Sequence, residues 1–224
     1  YQNAIPVFID SDYATWNMCP KALEEAFKKY PRVKAVLVVH LYGFSAKLDE
    51  IMELCKKYNV ALIEDAAESL GTYYKGKHTG TFGEYGIFSF NGNKIITTSG
   101  GGMLVSNDEE KIKKVRFWAA QSRDPARHYQ HSEIGYNYRM TNICAAIGVA
   151  QMTTIDNILV RKRRIAQWYK KYLTTKVEFH GERQGTLNTY WMCSILVPDS
   201  KDRDPLREHL ADVGIETRPL FYPV

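Results

Sequence analysis

The sequence has few cysteines and shows no pattern that would pair them. Four cysteines among 224 residues lie far apart and lack the paired spacing of metal ligands, so neither a disulfide framework nor a metal site is predicted. The apolar residues around Cys55 and Cys144 indicate small buried side chains, and unpaired thiols are typical of a reducing compartment. We expect a cytoplasmic protein without a metal centre.

Long apolar runs and a strong excess of one charge are also missing. The longest stretches without a charged residue, such as residues 141–155, are shorter than the roughly 18 apolar residues that a membrane span needs. Lysine and arginine number 30 against 25 acidic residues, and the basic residues are spread along the chain, which does not favour nucleic-acid binding. We therefore expect neither a membrane span nor a nucleic-acid partner.

The ends of the chain suggest a part of a longer protein. The sequence begins at Tyr1 without a methionine, and an apolar strand candidate at residues 6–9 follows almost at once. The last residues, 222–224, fall in the middle of a pattern. We expect an internal fragment.

Short β-branched runs alternate with helical segments as far as about residue 105. The runs at 35–39 and 60–63 are continuously apolar, as is typical of parallel strands buried on both faces. Helices are therefore expected on both faces of a mostly parallel sheet. The other predicted elements of this region are strands at 6–9, 86–90 and 102–105, helices at 20–29 and 48–58, and a helix capped by Asp108.

A second region begins near Gly135. Apolar residues recur at intervals of three and four through residues 141–173, which predicts one long helix with Thr141 as its N-cap. A strand at 190–197 and a helix at 204–213 follow. We expect two domains: residues 1–135 as part of a large domain, and residues 136–224 as the long helix with part of a small α/β domain.

Asp65 directly follows the second apolar run. In open α/β sheets, ligands bind at the carboxyl ends of the strands, so an acid at this point is expected to face a site. The alternative is a helix N-cap or a surface acid, because aspartate is also favoured in those places.

Lys94 follows another apolar strand in a polar setting. A serine, two asparagines and this lysine occupy residues 89–94, and three glycines come after them at residues 100–102. Burial disfavours the charged form of a lysine and frees its amine as a nucleophile; the alternative is an ordinary exposed lysine. The glycines lack the Gly-x-Gly-x-x-Gly spacing of a dinucleotide fingerprint, so a nicotinamide-dependent oxidoreductase is only a third hypothesis.

Three motifs in order resemble those of the DegT/DnrJ/EryC1/StrS sugar aminotransferases. They are Asp65 with two following alanines, Ser89 between two phenylalanines with Lys94 five residues later, and the segment at residues 135–140. The resemblance covers essentially the whole chain. It implies fold type I, with a three-layer α/β/α large domain around a mixed, mostly parallel sheet, and a small C-terminal α/β domain.

The resemblance implies pyridoxal 5′-phosphate (PLP) as the cofactor and assigns residues to it. Lys94 would condense with the cofactor aldehyde and carry the substrate proton, and Asp65 would pair with the ring nitrogen. Ser89, otherwise a turn hydroxyl, would bind the phosphate. Asn137, otherwise a loop cap, would reach the phosphate across the interface of a homodimer. Glu68 stands where relatives often have glutamine or histidine beside the cofactor ring and its phenolic oxygen. An acid near that phenolate would be repelled unless it is protonated, so we expect a raised pKa for its carboxyl or a side chain turned away.

The implied reaction moves an amino group from an amino acid, expected to be glutamate, to a nucleotide-linked sugar. The residues at two positions, Ser99 and Cys144, are similar to those of one branch of the family. That branch aminates C4 of UDP-linked 4-keto-6-deoxy sugars for surface polysaccharides or glycan precursors. Arg139 and Arg218 are candidates for binding a carboxylate or a phosphate, because a guanidinium offers two parallel donors. A lysine at position 94 argues against the related dehydratases, which have histidine there.

A non-catalytic binding or scaffolding fragment is the alternative function. It is credible because the family's N-terminal phosphate-binding helix start would be missing from a fragment, and such helix ends bind phosphate well. We therefore expect this chain to bind the cofactor poorly and its parent protein to bind it well. Two further groups receive a structural interpretation. The basic run at residues 161–164 predicts a solvated helix face, and the alternative is that one of its residues binds a diphosphate-bearing substrate. His40 and Tyr42 are either a wall of the site or residues that approach its ligands.

Overall fold

The structure is a computed structural model that describes residues 2–173 and 176–221. Its helices are α1 (Pro20–Lys29), α2 (Leu48–Tyr58), α3 (Glu109–Ala119), α4 (Asn142–Met152), α5 (Ile155–Leu173) and α6 (Arg203–Asp212). Its strands are β1 (Ala35–Val39), β2 (Ala61–Asp65), β3 (Tyr73–Tyr74), β4 (Lys77–His78), β5 (Tyr85–Ser89), β6 (Gly102–Val105), β7 (Glu178–Phe179), β8 (Thr186–Leu187) and β9 (Ile195–Leu196).

The largest sheet has the strand order β1-β2-β5-β6. Strands β1, β2 and β5 are parallel, and β6 runs antiparallel to β5. The register places Val39, Asp65 and Ile87 side by side, so the carboxyl ends of three strands meet at one edge. The predicted α/β class with a mixed, mostly parallel sheet is confirmed.

Helices α1 and α2 pack on the same face of this sheet. Leu23 of α1 and Ile51 of α2 belong to one buried cluster with Val38 of β1. On the opposite face of β1, the side chains of Leu37 and Val39 are 51% and 37% exposed. The prediction that β1 is buried on both faces is therefore wrong for the described residues, because both neighbouring helices cover the same side.

The predicted long helix is two helices. Thr141 caps α4 as predicted, since its hydroxyl accepts a hydrogen bond from the backbone N–H of Cys144. The single helix over 141–173 is wrong, however, because α4 and α5 are bent by 64° across Thr153 and Thr154. The hydroxyls of these threonines donate to the carbonyls of the preceding turn, and such bonds compete with the helical backbone pattern.

Across the described ranges, no single helix is long and apolar enough to cross a bilayer. Within those ranges, α4 and α5 together have the length and apolar composition of a span, but the chain is bent between them.

Other predicted elements differ in extent. Residues 6–9 form no strand, and Phe8 is 68% exposed, because no described strand pairs with them. The strand expected at 190–197 is reduced to β9. It cannot begin at Tyr190, which has a φ of 54°, outside the extended region. Cys55 is buried, which raises the pKa of its thiol to about 11. Cys144 is half-buried rather than buried. The division at residue 135 stays a prediction.

Candidate active site

Asp65 is the last residue of β2, at the edge where the parallel strands end. Its side chain is half-buried, and Oδ1 accepts a hydrogen bond of 3.0 Å from the backbone N–H of Ala67. Successive side chains of a strand point to opposite faces, so Asp65 lies on the face opposite Glu64. Asp65 is thus held at the strand end where ligands of such sheets bind.

Glu64 is a buried anchor that the sequence analysis missed. Its side chain is fully buried and accepts backbone N–H bonds of 2.7 Å from Gly80 and Gly83. It also accepts a 2.9 Å bond from Nε2 of His40. Burial alone would raise the pKa of Glu64, but these bonds lower it below its ordinary value. Glu64 could have been identified from the sequence because it is a charged residue inside an apolar strand.

His40 belongs to this anchor rather than to the ligand site. With Nε2 donating to Glu64, its Nδ1 accepts a 3.1 Å bond from the backbone N–H of Ala46. Both ring nitrogens are therefore occupied in the fully buried side chain. The structure therefore favours His40 as a buried residue in the wall of the site over a residue that approaches the ligands.

Lys94 lies in the loop after β5, between an acid and an aromatic ring. Its Nζ is 3.6 Å from Oε1 of Glu68, and the two side chains are only 14% and 10% exposed. The same nitrogen lies 4.1 Å from the centroid of the Trp191 ring. Lys94 is therefore a largely buried amine with a partner on two sides.

The carboxyl of Glu68 faces Lys94 and is fixed by the backbone. Its Oε2 accepts a 2.8 Å hydrogen bond from the backbone N–H of Tyr42. Burial raises the pKa of Glu68, and the charge of Asp65 adds to the rise, while the Tyr42 bond and the charge of Lys94 act against it. The pKa is raised as expected, but burial rather than a neighbouring phenolate is the main cause. Asp65 and Lys94 both act on this one carboxyl, which places the three groups in one neighbourhood.

Long-range bonds hold the loop that carries Lys94. The amide of Gln151 on α4 makes two bonds to the backbone of Thr97, since Oε1 accepts from its N–H and Nε2 donates to its carbonyl. The indole Nε1 of Trp191 donates a 2.7 Å bond to the carbonyl of Asn93. Neither contact has a local sequence signal, because the partners lie 54 and 98 residues apart.

The remaining predicted residues are placed less closely. Ser89 ends β5, beside the strand of Asp65, and its Oγ accepts a 3.3 Å bond from the backbone N–H of Asn91. Asn137 is exposed in a loop that bridges to Ala120. Arg139 is exposed, and exposed Arg218 pairs with Glu216. Among the described residues, no contact joins Asn137, Arg139 or Arg218 to Lys94.

The basic run of α5 is only half solvated. Arg163 donates 2.9 Å bonds to the carbonyls of Gly71 and Asn188, and Lys162 donates a 3.1 Å bond to that of Trp191. The prediction of a solvated face is wrong for these two residues, because α5 packs against the loops that they bind. The other two members, at positions 161 and 164, are exposed.

Comparison with known proteins gives a family match over residues 1–224, to the DegT/DnrJ/EryC1/StrS aminotransferase family. The chain is 53% identical, over 100% of its length and 59% of the relative's, to a Bacillus subtilis (strain 168) protein named "Putative pyridoxal phosphate-dependent aminotransferase EpsN". It is 48% identical, over 100% of its length and 61% of the relative's, to GDP-perosamine synthase of Escherichia coli O157:H7. The chain thus spans about three fifths of the length of these relatives.

Solved structures share the fold. The aminotransferase TlmJ from Streptoalloteichus hindustanus superposes with a TM-score of 0.91 at 31% identity, over 97% of this chain and 60% of that one. A DegT DnrJ EryC1 StrS aminotransferase from Brucella abortus superposes with a TM-score of 0.87 at 30% identity, over 95% and 58%. The expected fold type I is confirmed.

Proposed function

Because the chain belongs to the DegT/DnrJ/EryC1/StrS aminotransferase family, we propose that the protein is a PLP-dependent aminotransferase acting on a nucleotide-linked ketosugar. One observation carries the proposal. A buried lysine amine, Lys94, lies 3.6 Å from the carboxyl of Glu68 in the loop after β5, and Asp65 ends the parallel strand beside β5. An amine and a carboxylate at such an edge are the two groups that PLP chemistry needs from a protein.

The chemistry of the donor set fits the cofactor that the family indicates. Lys94 offers an amine for an aldehyde, Asp65 offers a carboxylate for a ring N–H, and Ser89 offers a hydroxyl for a phosphate. Asp65 ends β2, and Ser89 ends the adjoining strand β5. Asn137 would add a phosphate contact from the second subunit.

The roles of the chain's own groups follow from their chemistry. When bound, PLP supplies an electron-accepting ring and a carbonyl carbon. Lys94 would hold the cofactor through its amine and, when that amine is free, would carry a proton to and from the substrate carbon. Asp65 would hold the ring nitrogen in its protonated form. Glu68 holds the free amine of Lys94 in place, and its burial excludes water from the pair.

The substrates are proposed at the level of their charged groups. Glutamate is the amino donor, and the acceptor is C4 of a nucleotide-linked 4-keto-6-deoxy sugar. Arg139 and Arg218 are candidates for the donor carboxylate or the nucleotide phosphates, because a guanidinium binds both with two parallel bonds. The product would enter surface polysaccharide or glycan precursor synthesis. Four free thiols support a cytoplasmic location.

The nucleotide can be uridine or guanosine, and the two lines of support disagree. Ser99 and Cys144 resemble the UDP branch, whereas the 48% identical relative is a GDP-perosamine synthase by name. A panel of UDP-, GDP- and dTDP-4-ketosugars with glutamate decides, with release of 2-oxoglutarate as the readout. A strong preference for the GDP sugar would overturn the UDP prediction and leave the aminotransferase proposal standing.

We propose a homodimer as the working unit. Helix α4 is apolar, yet none of its residues is buried within the described chain, and Ile143 and Val149 are 77% and 68% exposed. A second copy would cover this helix and bring its own Asn137, which lies five residues before α4, towards the site. Sedimentation should give the mass of two chains, and Val149→Glu should shift it towards one. A native protein that sediments as a monomer would contradict the dimer.

The visible absorption spectrum tests the enzyme against the non-catalytic alternative. The parent protein of this chain, purified at full length and with added PLP, should show a visible band that Lys94→Ala abolishes and that Lys113→Ala, a change on the exposed side of α3, leaves intact. A full-length protein that remains colourless with saturating PLP would favour the binding or scaffolding function. A nicotinamide-dependent oxidoreductase would instead bind a dinucleotide equally well with and without Lys94.

A further inference from the structure

We propose that Trp191 is a positioning residue that holds the amine of Lys94 against Glu68. The ring face of Trp191 lies 4.1 Å from Nζ of Lys94, and Glu68 approaches the same nitrogen from 3.6 Å. A cation over an indole face is attracted by the negative face of the ring, and the attraction grows when the pair is removed from water. Trp191 is only 5% exposed, so the contact is largely desolvated.

The position of the Trp191 ring is set by contacts on several sides. Its Nε1 donates to the carbonyl of Asn93, the residue directly before Lys94, and its own carbonyl accepts from Lys162 on α5. The ring of Tyr42 stacks beside it, with the centroids 6.4 Å apart. The ring is therefore fixed to the loop of the lysine, to α5 and to the backbone region that binds Glu68.

This arrangement links Lys94 to a part of the chain almost a hundred residues away. The backbone N–H of Tyr42 fixes Glu68, and Tyr42 also stacks on Trp191. The acid and the indole thus share one support, and the amine lies between them. A reactive group held in this way loses little freedom when it reacts, which is how positioning residues accelerate a step. The part that Trp191 plays in catalysis rests on the proposed function of Lys94.

Labelling of Lys94 in the cofactor-free protein tests the contact without any activity. Acetic anhydride reacts only with the uncharged, accessible amine, and mass spectrometry gives the rate at Lys94 relative to Lys113 in the same sample. Trp191→Leu removes the aromatic face, so we expect labelling at Lys94 to rise about fivefold. Trp191→Phe keeps a face and should stay within about twofold of the native rate. Trp168→Leu, at a half-exposed position on α5, should change nothing.

Fluorinated tryptophans provide a second test that preserves shape and folding. Each added fluorine weakens the negative face of the indole while the N–H remains. In the native protein, labelling of Lys94 should rise stepwise across a series of one to three fluorines, and the series should have no effect in the Trp191→Phe background. A flat series, or equal rates in Trp191→Leu and Trp191→Phe, would overturn the positioning role.

The proposed function can fail separately. If the native protein never develops a visible band with PLP while the labelling rates behave as expected, the contact stands and the role of Lys94 falls. If the band forms normally and the labelling rates do not respond to Trp191, the positioning role falls and the enzyme stands.

Discussion

Glu68 and Lys94 form a largely buried pair in which the carboxyl, through Oε1, lies 3.6 Å from the amine. Two other influences act on the carboxyl, because burial and the charge of Asp65 both favour its protonated form. The pair is therefore a place where a change of pH alters the charge inside the protein.

Glu68→Gln should make stability less sensitive to pH. A carboxyl whose pKa is raised on folding stabilises the folded state below the ordinary pKa of glutamic acid, and that contribution is lost as pH rises through the raised value. The melting temperature of Glu68→Gln minus that of the native protein should therefore become more positive between about pH 4 and about pH 7. Scanning fluorimetry of the cofactor-free protein measures this difference. Glu53→Gln, an exposed change on α2, is the control, and a difference that stays constant with pH would contradict the prediction.

Glu64→Gln should destabilise the fold by about 3 kcal/mol at neutral pH. The variant loses a charge that accepts bonds from His40, Gly80 and Gly83, and its amide presents donors where acceptors are needed. Because the pKa of Glu64 is lowered on folding, its stabilisation is present above the ordinary pKa of glutamic acid and disappears as pH falls through the lowered value.

Urea unfolding at several pH values measures the Glu64 effect. The difference in free energy of unfolding between the native protein and Glu64→Gln should become smaller as the pH falls. Glu25→Gln, at an exposed position on α1, should not differ from the native protein. A variant as stable as the native protein at neutral pH would show that Glu64 is not the anchor described.

Gln151→Ala should loosen the loop that carries Lys94. The change removes both bonds to Thr97 and leaves the half-buried backbone N–H of Thr97 without a partner. This loss costs about 1–3 kcal/mol locally. Hydrogen exchange should speed up at the amides of residues 94–98 with little change in the main sheet. Gln167→Ala, on an exposed part of α5, serves as the control. Unchanged exchange in the loop would mean that other contacts hold it.

Gly86→Ala should prevent normal folding. A Cβ at position 86 would lie 1.7 Å from the backbone carbonyl oxygen of Gly80, so the loop held by Glu64 would have to move. We expect a loss above about 4 kcal/mol or no folded protein. At Gly92 an added Cβ meets nothing within 4 Å, so Gly92→Ala should melt close to the native protein. Equal melting temperatures for both variants would refute the close approach.

The local elements were predictable because their signals are local. Apolar runs and flanking polar residues gave β1, β2 and β6 within about two residues, and the caps at Asp108 and Thr141 follow from side chains that bond N–H groups three residues on. The break between α4 and α5 was not predicted, since the apolar spacing continues through it.

The residues of the candidate site also fall into those with a local sequence signal and those without one. Asp65 and Lys94 could be found because each follows a strand and matches a motif. Gln151 and Trp191 could not, because they reach the lysine loop only through the packing of α4 and of the segment before β9. Glu64 was overlooked beside its neighbour, although an acid within an apolar strand requires buried donors.

Two adjacent acids on β2 also protect the alignment of the strand. Glu64 accepts backbone N–H bonds on one side of the sheet, and Asp65 points to the other side, at the strand end where the cofactor is proposed to bind. A slip of a single residue against β1 or β5 would exchange them, leaving the donors without an acceptor and placing the longer acid at the proposed site. We therefore expect any insertion or deletion within this strand to prevent folding rather than to change the reaction.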